Sequence, residues 1–165
     1  MTSPVNGDVE LTIGSTQLRL LFMLRSHSST LYGFYLPDQD VVFAPDMMFV
    51  NAIPSFGFPD WYYPGYIRAL ERLIALNAKH YVPSHFDNGK LVDLVAYRDM
   101  MVGFRETVSA ELAQYDYDAA SGANLRAVFT EVYPVLKKRY GHLHGFDAMF
   151  VSHFGGSAGG TYLGF

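Results

Sequence analysis

The sequence predicts an α/β fold, with antiparallel and mixed strands at the amino-terminal end and helices packed on one face. Two observations carry this. Before residue 45 the chain consists of short runs rich in Val, Ile, Leu and Phe, separated by Gly, Ser, Pro and Asp. After residue 64 apolar residues recur at helical spacing, and the first such helix leads into a further strand, which is the α/β pattern.

Taken in order, residues 1 to 7 are a loose lead-in. Val9 to Ile13 and Gln17 to Leu24 are joined by Gly14-Ser15-Thr16 and predict a hairpin. Leu31 to Leu36 and Val41 to Ala44, joined by Pro37-Asp38-Gln39-Asp40, predict a second. Residues 47 to 63 read as a long loop loaded with Met, Phe, Trp and Tyr, and long loops are usually functional. Phe56, Phe58 and Trp61 are its candidate pocket walls; the alternative is a loop folded onto the body as additional core. Pro64 suits the first turn of a helix, in which Tyr66, Ile67, Leu70, Leu73 and Ile74 share a side. Tyr81-Val82 is a short strand. A second helix is expected from Leu91 to about Gln114, then a linker from Tyr115 to Gly122. A third helix starts near Ala123, with Pro134 expected to kink or split it. Gly155-Gly156-Ser157-Ala158-Gly159-Gly160 reads as a flexible tail.

The length of 165 residues fits one domain, residues 1–165, with a helical carboxy-terminal extension from about residue 90. Half the residues are hydrophobic and 17% are charged, which excludes a disordered chain. A net charge of −4, with no basic cluster beyond Lys137-Lys138-Arg139, argues against nucleic acid as a main partner. The absence of cysteine excludes disulfides and thiolate metal sites. With neither a signal-like amino terminus nor a long apolar run, the expectation is a cytoplasmic protein that does not enter a membrane.

Three residues stand just past strand-like runs: His27 in Ser26-His27-Ser28-Ser29, Asp46 in Val41-Val42-Phe43-Ala44-Pro45-Asp46, and His85 in Val82-Pro83-Ser84-His85. Imidazole and carboxylate together suit zinc, and also iron or manganese. These segments, in this order and with a helix between the last two, resemble the second half of the metallo-β-lactamase superfamily. There, a Gly-His-Ser/Thr step, a Gly-Asp step and a Pro-Gly-His step supply metal ligands. Ser26, Pro45 and Ser84 stand where that family usually has glycine. The family's main motif, His-x-His-x-Asp-His, does not occur in the chain.

The resemblance implies half of an αββα sandwich, with His27, Asp46 and His85 as metal ligands and Asp46 as a catalytic, metal-bridging residue. It also implies a metal-dependent hydrolase of a small-molecule substrate, whose site is completed by a second copy in a homodimer or by a chain carrying the missing half. The alternative is a non-catalytic interaction domain or a fragment. His142 and His144 form a His-x-His pair, a secondary metal candidate, but no Asp-His follows at the required step. His80 reads as structural, and His153 has no evident partner.

Overall fold

The structure, a computed structural model, describes residues 7–54, 61–115 and 122–162. The described residues fall into two compact units, one of residues 7–50 and 61–98 and the other of residues 51–54, 99–115 and 122–162.

The first unit is built on a five-stranded sheet whose strands lie side by side in chain order. Strands β1 (Val9–Ile13) and β2 (Thr16–Phe22) form the expected hairpin. Gly14 in its turn sits at φ 64, the positive dihedral that a tight hairpin connection demands. Strand β3 (Tyr32–Leu36) runs antiparallel to β2 and is followed by a 3-10 turn at Pro37–Gln39. Asp40, left-handed at φ 57, then returns the chain as the antiparallel β4 (Val41–Phe43). Helix α1 (Tyr63–Ala75) crosses over to β5 (His80–Val82), which pairs parallel with β4. The fold is therefore α/β with a mixed sheet, as the sequence predicts.

Register assigns the two faces of this sheet. Leu21, Gly33, Val42 and Tyr81 point to one face and are buried. Helix α1 packs there through Tyr66, Ala69, Leu70 and Leu73, which repeat at helical spacing. Two polar ties fix the helix: Arg72 donates to the Phe22 carbonyl and pairs with Asp8, and the Tyr81 hydroxyl donates to the Leu73 carbonyl at 3.0 Å. The opposite face carries Leu11, Leu18, Leu20, Phe34 and Phe43 in cross-strand register. On that face Leu11, Ile13, Phe34 and Phe43 are exposed, Ile13 by 63%. An antiparallel sheet that meets water usually turns polar residues outward, and this one does not.

The second unit is helical. The carboxy-terminal part of α2 (Leu91–Leu112) buries Met101, Phe104, Val108 and Leu112. Helix α3 (Gly122–Tyr140) buries Val128, Val132 and Leu136 and runs on through Pro134. The expected split does not occur: Pro134 is exposed, so water can serve the carbonyl its missing N–H leaves unbonded. The larger correction is α4 (Phe146–Tyr162), which takes in the glycine-rich segment expected to be a flexible tail. Phe146, Phe150, Phe154 and Ala158 follow one another at i, i+4 spacing and are all buried. Phe150 packs edge-on against Phe129 and Tyr133 of α3, at 5.1 and 4.9 Å between ring centroids. This aromatic burial outweighs the helix penalty of the glycines, each worth about 1 kcal/mol. No helix of the described residues is long and apolar enough to cross a membrane.

His153, also on α4, is buried, with its ring edge against Phe104 at 4.2 Å. Its Nδ1 lies 3.2 Å from the Pro54 carbonyl, which can only accept, so Nδ1 carries a proton. Burial pushes this imidazole from an ordinary value of 6.5 down to about 3, against a smaller opposing effect of the Pro54 hydrogen bond. Between those values the unfolded chain binds a proton that the folded one refuses. Stability from this group is thus complete above pH 6.5 and is lost as pH falls toward 3, by roughly 5 kcal/mol over the window. His153→Gln keeps an amide donor and removes the titration. Urea denaturation between pH 7 and 4 should show a shallower loss of stability in this variant than in the wild type.

Candidate active site

Strands β4 and β5 are parallel neighbours in which Phe43 pairs with Val82. Each continues into a loop on the same rim of the sheet, and three residues past that matched pair stand Asp46 and His85. Nε2 of His85 lies 3.1 Å from Oδ1 of Asp46. The His85 side chain is 62% exposed and that of Asp46 27%, so the pair is open to a ligand. Open α/β sheets bind their ligands at this rim, beyond the carboxyl ends of parallel strands.

Asp46 is held in a specific conformation. It sits at φ 57, a left-handed backbone that Asp tolerates better than most residues. Its N–H donates to Oγ of Ser84 at 3.0 Å, and the Ser84 hydroxyl donates to Asp46 Oδ1 at 2.6 Å. Its carbonyl accepts from the Tyr66 hydroxyl at 3.1 Å. A phenol has one proton, and Tyr66 gives it to Asp46, so the contact between Tyr66 and Tyr97 at 3.0 Å must have Tyr97 as donor. Burial raises both phenols well above the ordinary tyrosine value. They therefore stay protonated, and the relay Tyr97 to Tyr66 to the Asp46 carbonyl persists across the physiological range.

Aromatic rings pack around this relay. Phe49 lies parallel to the His85 imidazole at 6.0 Å, with its other contacts to Phe86 and Tyr97. Trp61 stacks on Tyr66 at 4.3 Å, and His27 meets Trp61 edge-on at 5.9 Å. The His27 loop is fixed by the start of α1. The Tyr62 N–H donates to the carbonyl of the buried Ser26 at 2.8 Å, and a Cβ on Gly65 would overlap the Arg25 carbonyl oxygen.

Of the residues the sequence singles out, then, Asp46 and His85 come together, and His27 is placed against Trp61. Among the described residues no three His, Cys, Asp or Glu side chains are grouped to hold a metal ion. The donor types of the pair suit zinc, but two donors fall short of the three or four protein ligands a zinc site takes. Among the described residues this pair alone does not fit the ion. Phe56 and Phe58 lie outside the described residues, and Trp61 is a wall of the Tyr66 relay. His144 is held through its backbone, which bonds to Asn51 and Ile53, and among the described residues neither it nor His142 belongs to a group of three or more metal donors.

Sequence reasoning missed Ser84, Tyr97 and Phe49, and treated Tyr66 only as a core residue. The usable signal was chemical: a tyrosine on a buried helix position carries a hydroxyl that must find a partner.

Comparison with known proteins gives the following. The family described as the metallo-beta-lactamase superfamily matches residues 3–85. A metallo-beta-lactamase family protein from Thermus thermophilus shares 23% identity at a TM-score of 0.54, covering 68% of this chain and 38% of that one. A metallo-beta-lactamase from Pontibacter korlensis shares 26% at 0.50, covering 55% and 44%. The stereoselective inverting sec-alkylsulfatase from Pseudomonas sp. shares 18% at 0.52, covering 67% and 19%. The chain thus spans well under two thirds of the length of each. No curated protein matches it.

The phenol relay yields a graded expectation. Tyr97→Phe removes one donor and should cost about 1 kcal/mol, whereas Tyr66→Phe strands both the Asp46 carbonyl and the Tyr97 hydroxyl and should cost about 2–3 kcal/mol. In urea denaturation the double variant should cost less than the sum of the single ones, because the two hydroxyls act in series.

Proposed function

Because the chain belongs to the metallo-beta-lactamase superfamily, we propose that Asp46 and His85 are one share of a metal-dependent hydrolase site. Side chains from a second copy, or from a polypeptide bearing the family's His-x-His-x-Asp-His half, complete it. The superfamily includes hydrolases and generally binds metal ions, often zinc. The observation that carries the reading is the placement of Asp46 and His85 past matched ends of two parallel strands, with their polar atoms 3.1 Å apart. In the completed site these two would be ligands, with His27 as the third candidate from this chain. The chemistry a zinc ion supplies when bound is an acidified water and polarisation of the bond to be cleaved. This chain contributes a carboxylate fixed in direction, an imidazole beside it, and an aromatic surround of Phe49, Phe86 and Trp61 suited to an apolar portion of a small-molecule substrate.

An exposed sheet face supports the reading that a partner completes the site. Leu11, Ile13, Phe34 and Phe43 expose a continuous apolar sheet face, and such a face is the usual mark of an interaction surface. A second sheet packed there would give the sandwich of the family, and a homodimer is the closed arrangement that needs no other chain. The same face favours a second reading, a non-catalytic interaction domain that retains Asp46 and His85 without using them.

Two measurements separate these readings. Elemental analysis of protein purified without chelator should find metal in the wild type, and none above background in the Asp46→Ala, His85→Ala double variant. Equal content in the two supports the interaction domain. Sedimentation at micromolar concentration should give twice the 18.5 kDa chain mass, and Phe34→Lys with Phe43→Lys should return it to the monomer. A wild-type monomer would rule out the homodimer and leave the partner polypeptide.

A further inference from the structure

We infer that Ser84 is a positioning residue for Asp46, which fixes the direction of its carboxylate; the inference rests on the reading of Asp46 as a ligand of the site. The geometry is specific. One hydroxyl accepts from the amide of Asp46 at 3.0 Å and donates to the carboxylate of the same residue at 2.6 Å. The two bonds run in opposite senses, because the amide can only donate and the ionised carboxylate can only accept. Together they close a ring from the Asp46 backbone through its side chain to Ser84, and a closed ring leaves χ1 of Asp46 one setting.

That setting matters because the backbone does not impose it. Asp46 is at φ 57, and the Tyr66 hydroxyl secures its carbonyl, yet neither acts on the side chain. Without the Ser84 hydroxyl, the remaining hold on the carboxylate among the described residues is the contact of Oδ1 with His85 at 3.1 Å. A ligand arriving at the site would compete for that contact. Ser84 does not depend on it, so it keeps Oδ1 in place whether His85 points to Asp46 or elsewhere. Being adjacent to His85 in the chain, Ser84 also locks the loop after β5 to the loop after β4. Position 84 is one where the resemblance implies glycine, and glycine has no atom with which to form this ring.

The test uses the full chain in wild-type, Ser84→Ala, Ser84→Gly and Ser84→Thr forms, with two independent readouts. The first is NMR of the protein without metal. Ser84→Ala and Ser84→Gly should raise Asp46 amide hydrogen exchange at least tenfold and average its χ1 couplings, while exchange elsewhere in the sheet is unchanged. Ser84→Thr, which keeps the hydroxyl, should restore both. An Asp46 amide and χ1 unaltered in Ser84→Ala, or not restored by Thr, overturns the inference. The second readout is cobalt(II) titration followed by its d–d absorption. Loss of an orienting partner typically weakens metal affinity 10- to 100-fold, so Ser84→Ala should bind cobalt(II) at least tenfold more weakly, again with rescue by Thr. If wild type and Asp46→Ala bind cobalt(II) alike, the ligand reading of Asp46 fails, and the NMR result still decides the role of Ser84.

Discussion

The site depends on how closely the start of α1 approaches the loop after β2, and that approach depends on a glycine. At position 65 there is no room for a Cβ beside the Arg25 carbonyl. With the helix seated there, the Tyr62 amide holds Ser26, the Tyr66 hydroxyl reaches the Asp46 carbonyl, and Arg72 caps the end of β2. One helix therefore sets the loops that carry His27 and Asp46 and, through Leu73 and Tyr81, the strand that leads to His85. If the helix shifted along its axis, all three would move together. The candidate ligands are polar and partly exposed, while the helix that sets their loops is seated by a buried apolar side and tied by a few hydrogen bonds.

Much of the first unit was legible from residue pattern alone. The two hairpins, the helix opened by Pro64 and the strand at Tyr81-Val82 are each short-range features, set by alternation, turn residues and helical spacing. The juxtaposition of Asp46 and His85 was foreseeable because both stand just past strand ends, where topology fixes position. His27 was less so, since its loop has no strand neighbour in register with the other two and turns instead toward Trp61.

The rest was not legible, for physical reasons. Ser84 and Asp46 are 38 residues apart, and Tyr66 and Tyr97 are 31 apart. Hydrogen bonds across such separations follow from tertiary packing, which one-dimensional spacing does not encode. Helix α4 forms against its glycine content because a buried aromatic ladder outweighs the glycines' helix penalty. Phe146, Phe150 and Phe154 form one stripe, and a helix is the conformation that stacks them on a common side. The missing N–H of Pro134 does not split α3 because the residue faces water, and residue type alone does not say which side of the helix it takes.

The uncovered sheet face bears on how the chain behaves before it meets anything. Ile13 leaves 63% of its area in water, and Leu11, Phe34 and Phe43 each leave more than a third. Among the described residues β1 is also an edge strand, and an edge offers unpaired backbone groups to whatever strand arrives first. Alone and concentrated, such a chain is prone to self-association out of register and to loss from solution. How long the sheet stays bare, and at what concentration, then decides whether the chain remains dispersed.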